Sequence, residues 1–391
     1  MRIGIPKETN AGERRVAMVP DVARKLTSAG HTVLVESGAG DQAAIPDSRL
    51  TDAGAEIVDA GQVWSADVVA KVAPPSEQEI GRLKADSVLV GFLAPLTPGT
   101  TTKAVAATGA TAFAMEAIPR ISRAQSMDAL SSQATVSGYL AVLIAAQEMP
   151  RFFPMLMTAA GTIPPAQVLV LGAGVAGLQA IATSRRLGAV VTAFDVRSAV
   201  KEQINSLGAK FFEVEGLGDA EGSGGYAREL TPEEQETQRQ ALAVQMGKSD
   251  VIITTALVPG RPAPKLISAD AVAGMKPGSV VVDLAAEAGG NCELTKPGET
   301  ITTENGVRIV GTLNLPSHMA EHASQLYAKN VQSLLELMTD KENGDLKLDF
   351  EDEIIKGAAI TRGGEIVHEG AKKAAEAGAS DGASGSTQPR S

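Results

Sequence analysis

The sequence predicts an α/β protein: two doubly wound, Rossmann-like domains with a cleft between them, the first domain discontinuous. Three observations predict it. Short apolar runs alternate with helical segments over residues 2–116 and again over 167–315, the pattern of βαβ units on a largely parallel sheet. The chain has 391 residues, too many for one ordinary domain and suited to two. A Gly-x-Gly-x-x-Gly run, Gly172 to Gly177, lies between an apolar run and a helical pattern.

The elements follow in order. Residues 2–5 read as a strand, and residues 20–29 as a helix with Pro20 in its first turn and Gly30 just past its end. Residues 31–35 form the next strand. Asp47 is expected to cap a short helix ending at Gly54. Residues 67–72 and 87–93 are apolar runs of the length of buried parallel strands. Between them Ser76-Glu77-Gln78-Glu79 reads as a capping box opening a helix. Residues 111–115 form another strand. From about 130 to 149 the pattern is helical and Ala-rich, with Pro150 and Pro154 behind it, a natural connector between domains. Residues 318–339 turn helical again and are placed to return the chain to the first domain. The expected boundaries are 1–131 plus 318–370 for the first domain (flavodoxin or formate/glycerate dehydrogenase-like), 132–317 for the second, and 371–391 as a tail of Ala, Gly and Ser expected to be disordered.

Composition narrows the function classes. Hydrophobic residues are 44% of the chain but aromatics only 3%, so the core is aliphatic. A net charge of −11 speaks against a nucleic-acid partner, which demands clustered Lys and Arg. The single cysteine, Cys292, permits no intrachain disulfide and fits a reducing compartment. The first residues alternate like a strand, unlike a signal peptide. The longest helical apolar run, 139–146, is far short of the ~20 residues that span a bilayer, so no direct membrane insertion is expected.

The glycine run has a specific physics. Gly172 permits a tight turn, Gly174 lets the backbone approach a pyrophosphate, and Gly177 allows close helix–strand packing. Val175 and Ala176 stand within the run, and residues 178–187 continue as a helix, whose free N–H groups and positive dipole end attract phosphate. Asp195, with Val196 after it, closes the following strand and is placed to accept the adenosine ribose hydroxyls. Its charge favours NAD(H) over NADP(H), while Arg197 is a residue type that can also greet a 2′-phosphate.

A dehydrogenase acting on an alcohol or amine needs a base placed to take a proton. Hydride exchange between two nicotinamides needs only oriented rings and exclusion of water. The four histidines offer no evident base. His31 begins a strand, His318 and His322 lie at i, i+4 with no convincing third metal ligand, and His368 is near the tail. No metal site is expected. Lys71 ends an apolar strand, facing either a cleft or solvent. Residues 119–133, Pro-Arg-Ile-Ser-Arg-Ala-Gln-Ser-Met-Asp-Ala-Leu-Ser-Ser-Gln, are dense in polar groups at the domain junction and read either as a ligand segment or as a helix-capping loop. Residues 216–234 are Gly-rich, and read as a lid over the cofactor or as a flexible surface loop.

At these residues the sequence resembles the NAD(H)-binding component, domain I, of the proton-translocating NAD(P) transhydrogenases, from Met1 to about His368. The resemblance is carried by the opening I-P-K-E with R-R-V-A, by P-R-I-S-R-A-Q-S-M-D, by M-T-A-A-G-T-I-P-P-A before the glycine run, and by G-G-Y-A-R-E-L, T-T-A-L-V-P-G and D-L-A-A-E-A-G-G-N-C. It implies a Re/Si-specific enzyme that passes hydride directly between NAD(H) bound here and NADP(H) bound on a partner subunit, coupled to proton translocation. It implies that Arg120, Asp128 and Ser131 fix the nicotinamide carboxamide and that Gln125 reaches toward the partner's nucleotide. Val175, Asp195 and Arg197 would bind the adenosine half and diphosphate. Gly225, Gln240, Ala256 and Leu257 would line the cofactor site, and Tyr226 would ride on the loop that closes over it. A homodimer, membrane-spanning and NADP(H)-binding partner subunits, and a cytoplasmic, peripheral location on the cell membrane are implied as well. Sequence physics adds only the apolar stretch 139–146 as a hint of an interface.

The related alanine dehydrogenases are the alternative. They resemble this chain at Arg15 and Lys71, the positions expected to hold the amino acid's carboxylate and carbonyl. They differ in a catalytic histidine where this chain has Ala94, and in an aspartate within the stretch that here reads A-E-A-G-G, 286–290.

Overall fold

The computed structural model describes residues 1–99, 101–220, 228, 230–258 and 260–383. The chain divides into two compact units, Met1–Gln133 with Ser317–Ser391, and Ala134–Pro316.

The first unit is built on a sheet whose spatial order is Glu365–Ile366, Ala359–Arg362, Thr111–Ala114, Val88–Gly91, Val68–Ala70, Arg2–Ile5, Thr32–Glu36 and Glu56–Val58. The strands from Thr111–Ala114 to Glu56–Val58 pair in parallel, and the two C-terminal ones add antiparallel at the edge. Alternation along each strand decides which face a side chain covers. Val68, Ala70, Val88 and Val90 join one core, and Val69 and Leu89 the other. Burial on both faces explains why these strands read as continuous apolar runs. Helix Ala320–Leu337 contributes Tyr327, Val331, Leu334 and Leu335 to the first of those cores, which makes the unit discontinuous in sequence.

The second unit repeats the plan, in the order Lys210–Phe211, Val190–Phe194, Gln167–Leu171, Val251–Thr254, Val280–Asp283, Arg308–Val310 and Thr300–Thr302. Here Val168 and Val170 face one core, Leu169 and Leu171 the other. In both sheets the order of crossing reverses beside the first strand: between Arg2–Ile5 and Val68–Ala70, and between Gln167–Leu171 and Val251–Thr254. Ligands of open α/β sheets bind beyond the strand ends at such reversals.

Several elements depart from their sequence expectations. Asp47 does not cap its helix. Pro46 holds the cap position, and the Asp47 carboxylate accepts instead from the Ser37 hydroxyl and the Gly38 N–H, closing the preceding turn. The Ser76–Glu79 capping box is present but opens only a single turn, Glu77–Ile80. Strand Glu56–Val58 and the hairpin of Leu156–Thr158 with Gly161–Ile163 were not foreseen. Of the tail expected to lack structure, 371–391, the part to Ala383 is helical, within Glu369–Ala383, with Ala371 and Ala375 buried, and 384–391 lie outside the described residues; small Ala side chains pack at close range without needing bulk apolar content.

The connector helix, Ala129–Glu148, is twenty residues and by length and composition is apolar enough to cross a membrane, longer than the run seen in sequence. Its Ala141, Val142 and Ala145 belong to a core of the second unit. Its Gly138 lies so close to the next helix that a Cβ there would be 2.1 Å from the Ala176 carbonyl oxygen.

That contact yields a stability prediction. Helix propensity alone favours Ala over Gly by about 1 kcal/mol, but Gly138→Ala forces two backbones apart. We expect a net loss of about 1–3 kcal/mol, the usual size of an overpacking penalty, read as a lower urea midpoint. A raised midpoint would show that the helices separate freely.

Candidate functional site

The site in the second unit is assembled around the end of strand Gln167–Leu171. Gly172 has φ +96°, a left-handed conformation that favours glycine. A Cβ on Gly177 would lie 1.9 Å from the Gly172 carbonyl oxygen, so only glycine lets helix Val175–Arg186 start this close to the strand. Gly174 differs from both. A Cβ there would meet nothing within 4 Å, so the space it faces is open, and Gly174 is the N-cap residue with no side-chain cap. The chain thus leaves uncapped amide N–H groups and a positive dipole end facing open space. This is the cradle a pyrophosphate fits.

Asp195 follows strand Val190–Phe194. Its Oδ2 accepts from the Ala173 N–H at 2.7 Å and from Arg197 Nη2 at 2.8 Å. Its Oδ1 accepts from the Arg197 N–H and Nε, both at 2.9 Å. Burial raises the pKa of this carboxyl, but the Arg197 and Ala173 hydrogen bonds outweigh it and hold the group below the usual aspartate range. Val196 packs against the core. Val175, 42% exposed, and Leu257, 46% exposed, are apolar side chains left uncovered at the start of helix Val175–Arg186 and in the loop after strand Val251–Thr254. Ala256 is fixed beside Leu257. Gln240 is exposed on helix Pro232–Met246 and donates to Glu236 of its own helix. Gly225 and Tyr226, and the centre of the lid expected at 216–234, lie outside the described residues.

The groups that set this loop were not singled out in sequence. Asn291, fully buried, accepts from the Ala256 N–H at 3.1 Å and donates to the Ala256 and Pro264 carbonyls, both at 2.9 Å. Thr255 donates to the Gly172 carbonyl at 3.1 Å, tying the loop to the glycine turn. Asp283 is buried and accepts from Thr254, Ala285, Cys292 and Thr295, pinning the chain that carries Asn291. Asn291 and Asp283 stood inside D-L-A-A-E-A-G-G-N-C, and their burial was the missing signal.

In the first unit, Arg120 and Gln125 are exposed on the segment before the connector helix. Asp128 accepts from the Ser131 N–H at 2.8 Å and hydroxyl at 2.6 Å, which caps helix Ala129–Glu148. Asp128 and Ser131 thus make the hydrogen bonds expected of a helix-capping loop. The segment is anchored by Arg123, paired with Asp352, and by Asn330, which donates to the Ser126 carbonyl and accepts from Ser132.

At the sheet reversal of this unit the charges are turned inward. Lys71 neither faces a cleft nor ends in solvent. It is fully buried, 3.2 Å from both Glu8 and Glu79. Arg15 is buried in a fork with Glu13 and also donates to Gln133. Burial pushes the Glu8 carboxyl above its ordinary value, against the pull of Lys71. Ala94 has φ +50°, and its N–H, with that of Leu93, donates to Glu116 Oε1. The other oxygen of Glu116 is buried with no hydrogen-bond partner among the described residues, and burial raises this carboxyl despite the two amides. Of the histidines, His31 is buried, His318 and His322 are both exposed, and His368 accepts from the Ala371 N–H at the start of the last helix.

Fold and site together define a two-domain α/β protein with a dinucleotide cradle in its second domain. Residues 4–137 match the N-terminal and residues 141–369 the C-terminal domain of the family described as alanine dehydrogenase/PNT; the chain belongs to that family. It is 52% identical over 377 residues to an NAD(P) transhydrogenase subunit alpha chain of Rhodospirillum rubrum, covering 94% of this chain and 98% of that one. It is 36% identical over 302 residues to alanine dehydrogenase of Mycolicibacterium smegmatis, covering 76% of each. Among solved structures, a transhydrogenase from Sinorhizobium meliloti superposes with a TM-score of 0.86 at 48% identity, covering 94% of this chain and 100% of that one.

Glu116 gives a pH prediction. Its folded pKa is raised, so the folded chain favours the protonated form, and stability falls as pH climbs from the ordinary glutamate value toward the raised one. Glu116→Gln keeps an acceptor for the two amides and removes that loss. The thermal midpoint of the variant minus that of the wild type is expected to grow from pH 4 to pH 8. A difference that stays flat would mean Glu116 does not titrate in this range.

Proposed function

We propose that this chain is the NAD(H)-binding subunit of a Re/Si-specific, proton-translocating NAD(P)+ transhydrogenase. The observation that carries the reading is the open position at Gly174, under an uncapped helix N-terminus and beside the Asp195 carboxylate. The named relatives support the choice of reaction.

Bound NAD(H) supplies the hydride. The chain's own groups hold and orient the nucleotide: the amides after Gly172 take the pyrophosphate, Asp195 the adenosine ribose, and the loop at Ala256 and Leu257, locked by Asn291, forms a wall. Gly225, Tyr226 and Gln240 are proposed to complete the site. Arg120, Asp128 and Ser131 are proposed to fix the carboxamide, with Gln125 directed to the NADP(H) of a partner subunit. Hydride exchange between nicotinamides moves no proton from oxygen or nitrogen, so no general base is required. Orientation and water exclusion are the whole task. The acid at 195 favours NAD(H) here, which assigns NADP(H) and the proton path to membrane-spanning and NADP(H)-binding partners, with this subunit held peripherally on the cytoplasmic side. A homodimer would cover the apolar side chains of Phe152, Met155, Met157 and Ile163, all exposed.

The alanine dehydrogenase reading is disfavoured by the first unit. The two cations that would hold an amino acid are neutralised by Glu8, Glu13 and Glu79, and the position of the expected histidine is Ala94.

The expected outcomes are direct. NADH should reduce an NADP+ analogue only when an NADP(H)-binding partner component is added, and pyruvate with ammonia should oxidise no NADH. Gln125→Asn should lower the transfer rate while leaving NADH affinity within about twofold, the scatter of a surface change. Partner-independent oxidation of NADH by pyruvate and ammonia would overturn the proposal.

A further inference from the structure

The hydrogen bonding of Asp195 carries an inference about how the nucleotide enters, which rests on the cofactor reading above and deepens it. An ionised carboxylate offers two oxygens and about four acceptor positions. At Asp195 all four are filled from within the chain. Oδ1 holds the Arg197 N–H and Nε, and Oδ2 holds the Ala173 N–H and Arg197 Nη2. Two of the four donors are backbone amides of the glycine turn and of the strand end, and they move only if the backbone moves. The other two belong to one planar guanidinium, which grips one position on each oxygen. The pair is well screened from solvent, with side chains 18% and 6% exposed.

A ribose with free 2′ and 3′ hydroxyls presents two donors on adjacent carbons. To engage both oxygens of Asp195 it needs one acceptor position on each. Those are the two positions the Arg197 fork occupies. We propose that Arg197 is a built-in surrogate for the ribose diol: it saturates Asp195 while the site is empty and is displaced by the adenosine hydroxyls when the nucleotide binds. The two backbone amides stay in place throughout, so the carboxylate keeps its position while its partner changes.

The exchange also sharpens the choice of nucleotide. A 2′-phosphate at neutral pH brings acceptor oxygens and no comparable pair of donors. It cannot replace the fork, and if Arg197 turns to meet it, Asp195 is left charged and stripped of two hydrogen bonds beside a second anion. The same arginine that looks in sequence like a welcome for the phosphate is held by the acid that rejects it.

The test is a cycle between protein and ligand, which isolates the interaction of Arg197 with the hydroxyls from every other effect of either change. ADP and 2′,3′-dideoxy-ADP are titrated into the wild-type chain, into Arg197→Ala and into Arg197→Met, by competition against NADH fluorescence. The quantity read is the ratio of the two affinities. In the wild type part of the benefit of the hydroxyls is consumed in expelling the guanidinium. In both variants that cost is gone, and the preference for ADP over its dideoxy form is expected to rise by about tenfold, the size of one hydrogen bond to a charged group. Far-ultraviolet circular dichroism and the urea midpoint confirm that the variants are folded, and two substitutions of different bulk guard against one that is not. A ratio that is unchanged or smaller in both folded variants overturns the surrogate role. Failure of the wild type to bind NADH or ADP at all would instead overturn the cofactor reading, and the surrogate role with it.

Discussion

Everything in the second unit hangs on the approach of one helix to one strand. At Gly177 the helix comes within 1.9 Å, measured from where a Cβ would be, of the carbonyl that ends the turn at Gly172. On its other side the connector helix is pressed against it at Gly138, leaving no room for a methyl group. Wedged between these contacts, the helix cannot slide along its axis. Its uncapped N-terminus therefore stays at a fixed height above the strand ends, and the gap at Gly174 stays open. A phosphate site made of amide dipoles works only if the dipoles are already aimed, and here close packing does the aiming.

The two units share an architecture and use it oppositely. In each, the crossing order reverses beside the first strand. In the second unit the end of the first strand is lined by amides and by the Asp195 carboxylate. In the first the charges are paired with one another. Lys71 and Arg15 are countered by Glu8, Glu13 and Glu79, all buried, and the Tyr327 hydroxyl donates to the Lys71 carbonyl at 2.8 Å. Removing one member of such a network leaves an uncompensated buried charge, which costs several kcal/mol, so the cluster holds its own members in place. The first unit also carries the segment from Arg120 to Ser131, held in place by Arg123 and Asn330.

Much of this was legible in the sequence, for reasons that can be named. Parallel strands buried on both faces must be apolar throughout, so they stood out as runs, and the glycine run announced itself because each glycine answers a separate steric demand. The elements that escaped are those whose logic is not local. Strand Ala359–Arg362 pairs with Thr111–Ala114, far earlier in the chain, and nothing near it in sequence says so. Asp47 looked like a cap because it precedes a helix, but a serine and a glycine of the preceding turn compete for its carboxylate. Lys71 looked free because its partner Glu8 is on another strand's end. The importance of Asn291, Asp283 and Glu116 comes entirely from what surrounds them once folded.

The buried ion pairs of the first unit have a pharmacological side. A compound that mimics a 2-oxo acid relies on finding a cation with an open coordination face. In this chain Arg15 and Lys71 already spend their charge on neighbouring glutamates, and Ala94, whose backbone N–H donates to Glu116, offers only a methyl side chain. A 2-oxo acid entering here would first have to displace a glutamate from one of these cations, so the ion pairs themselves set the barrier to such a ligand.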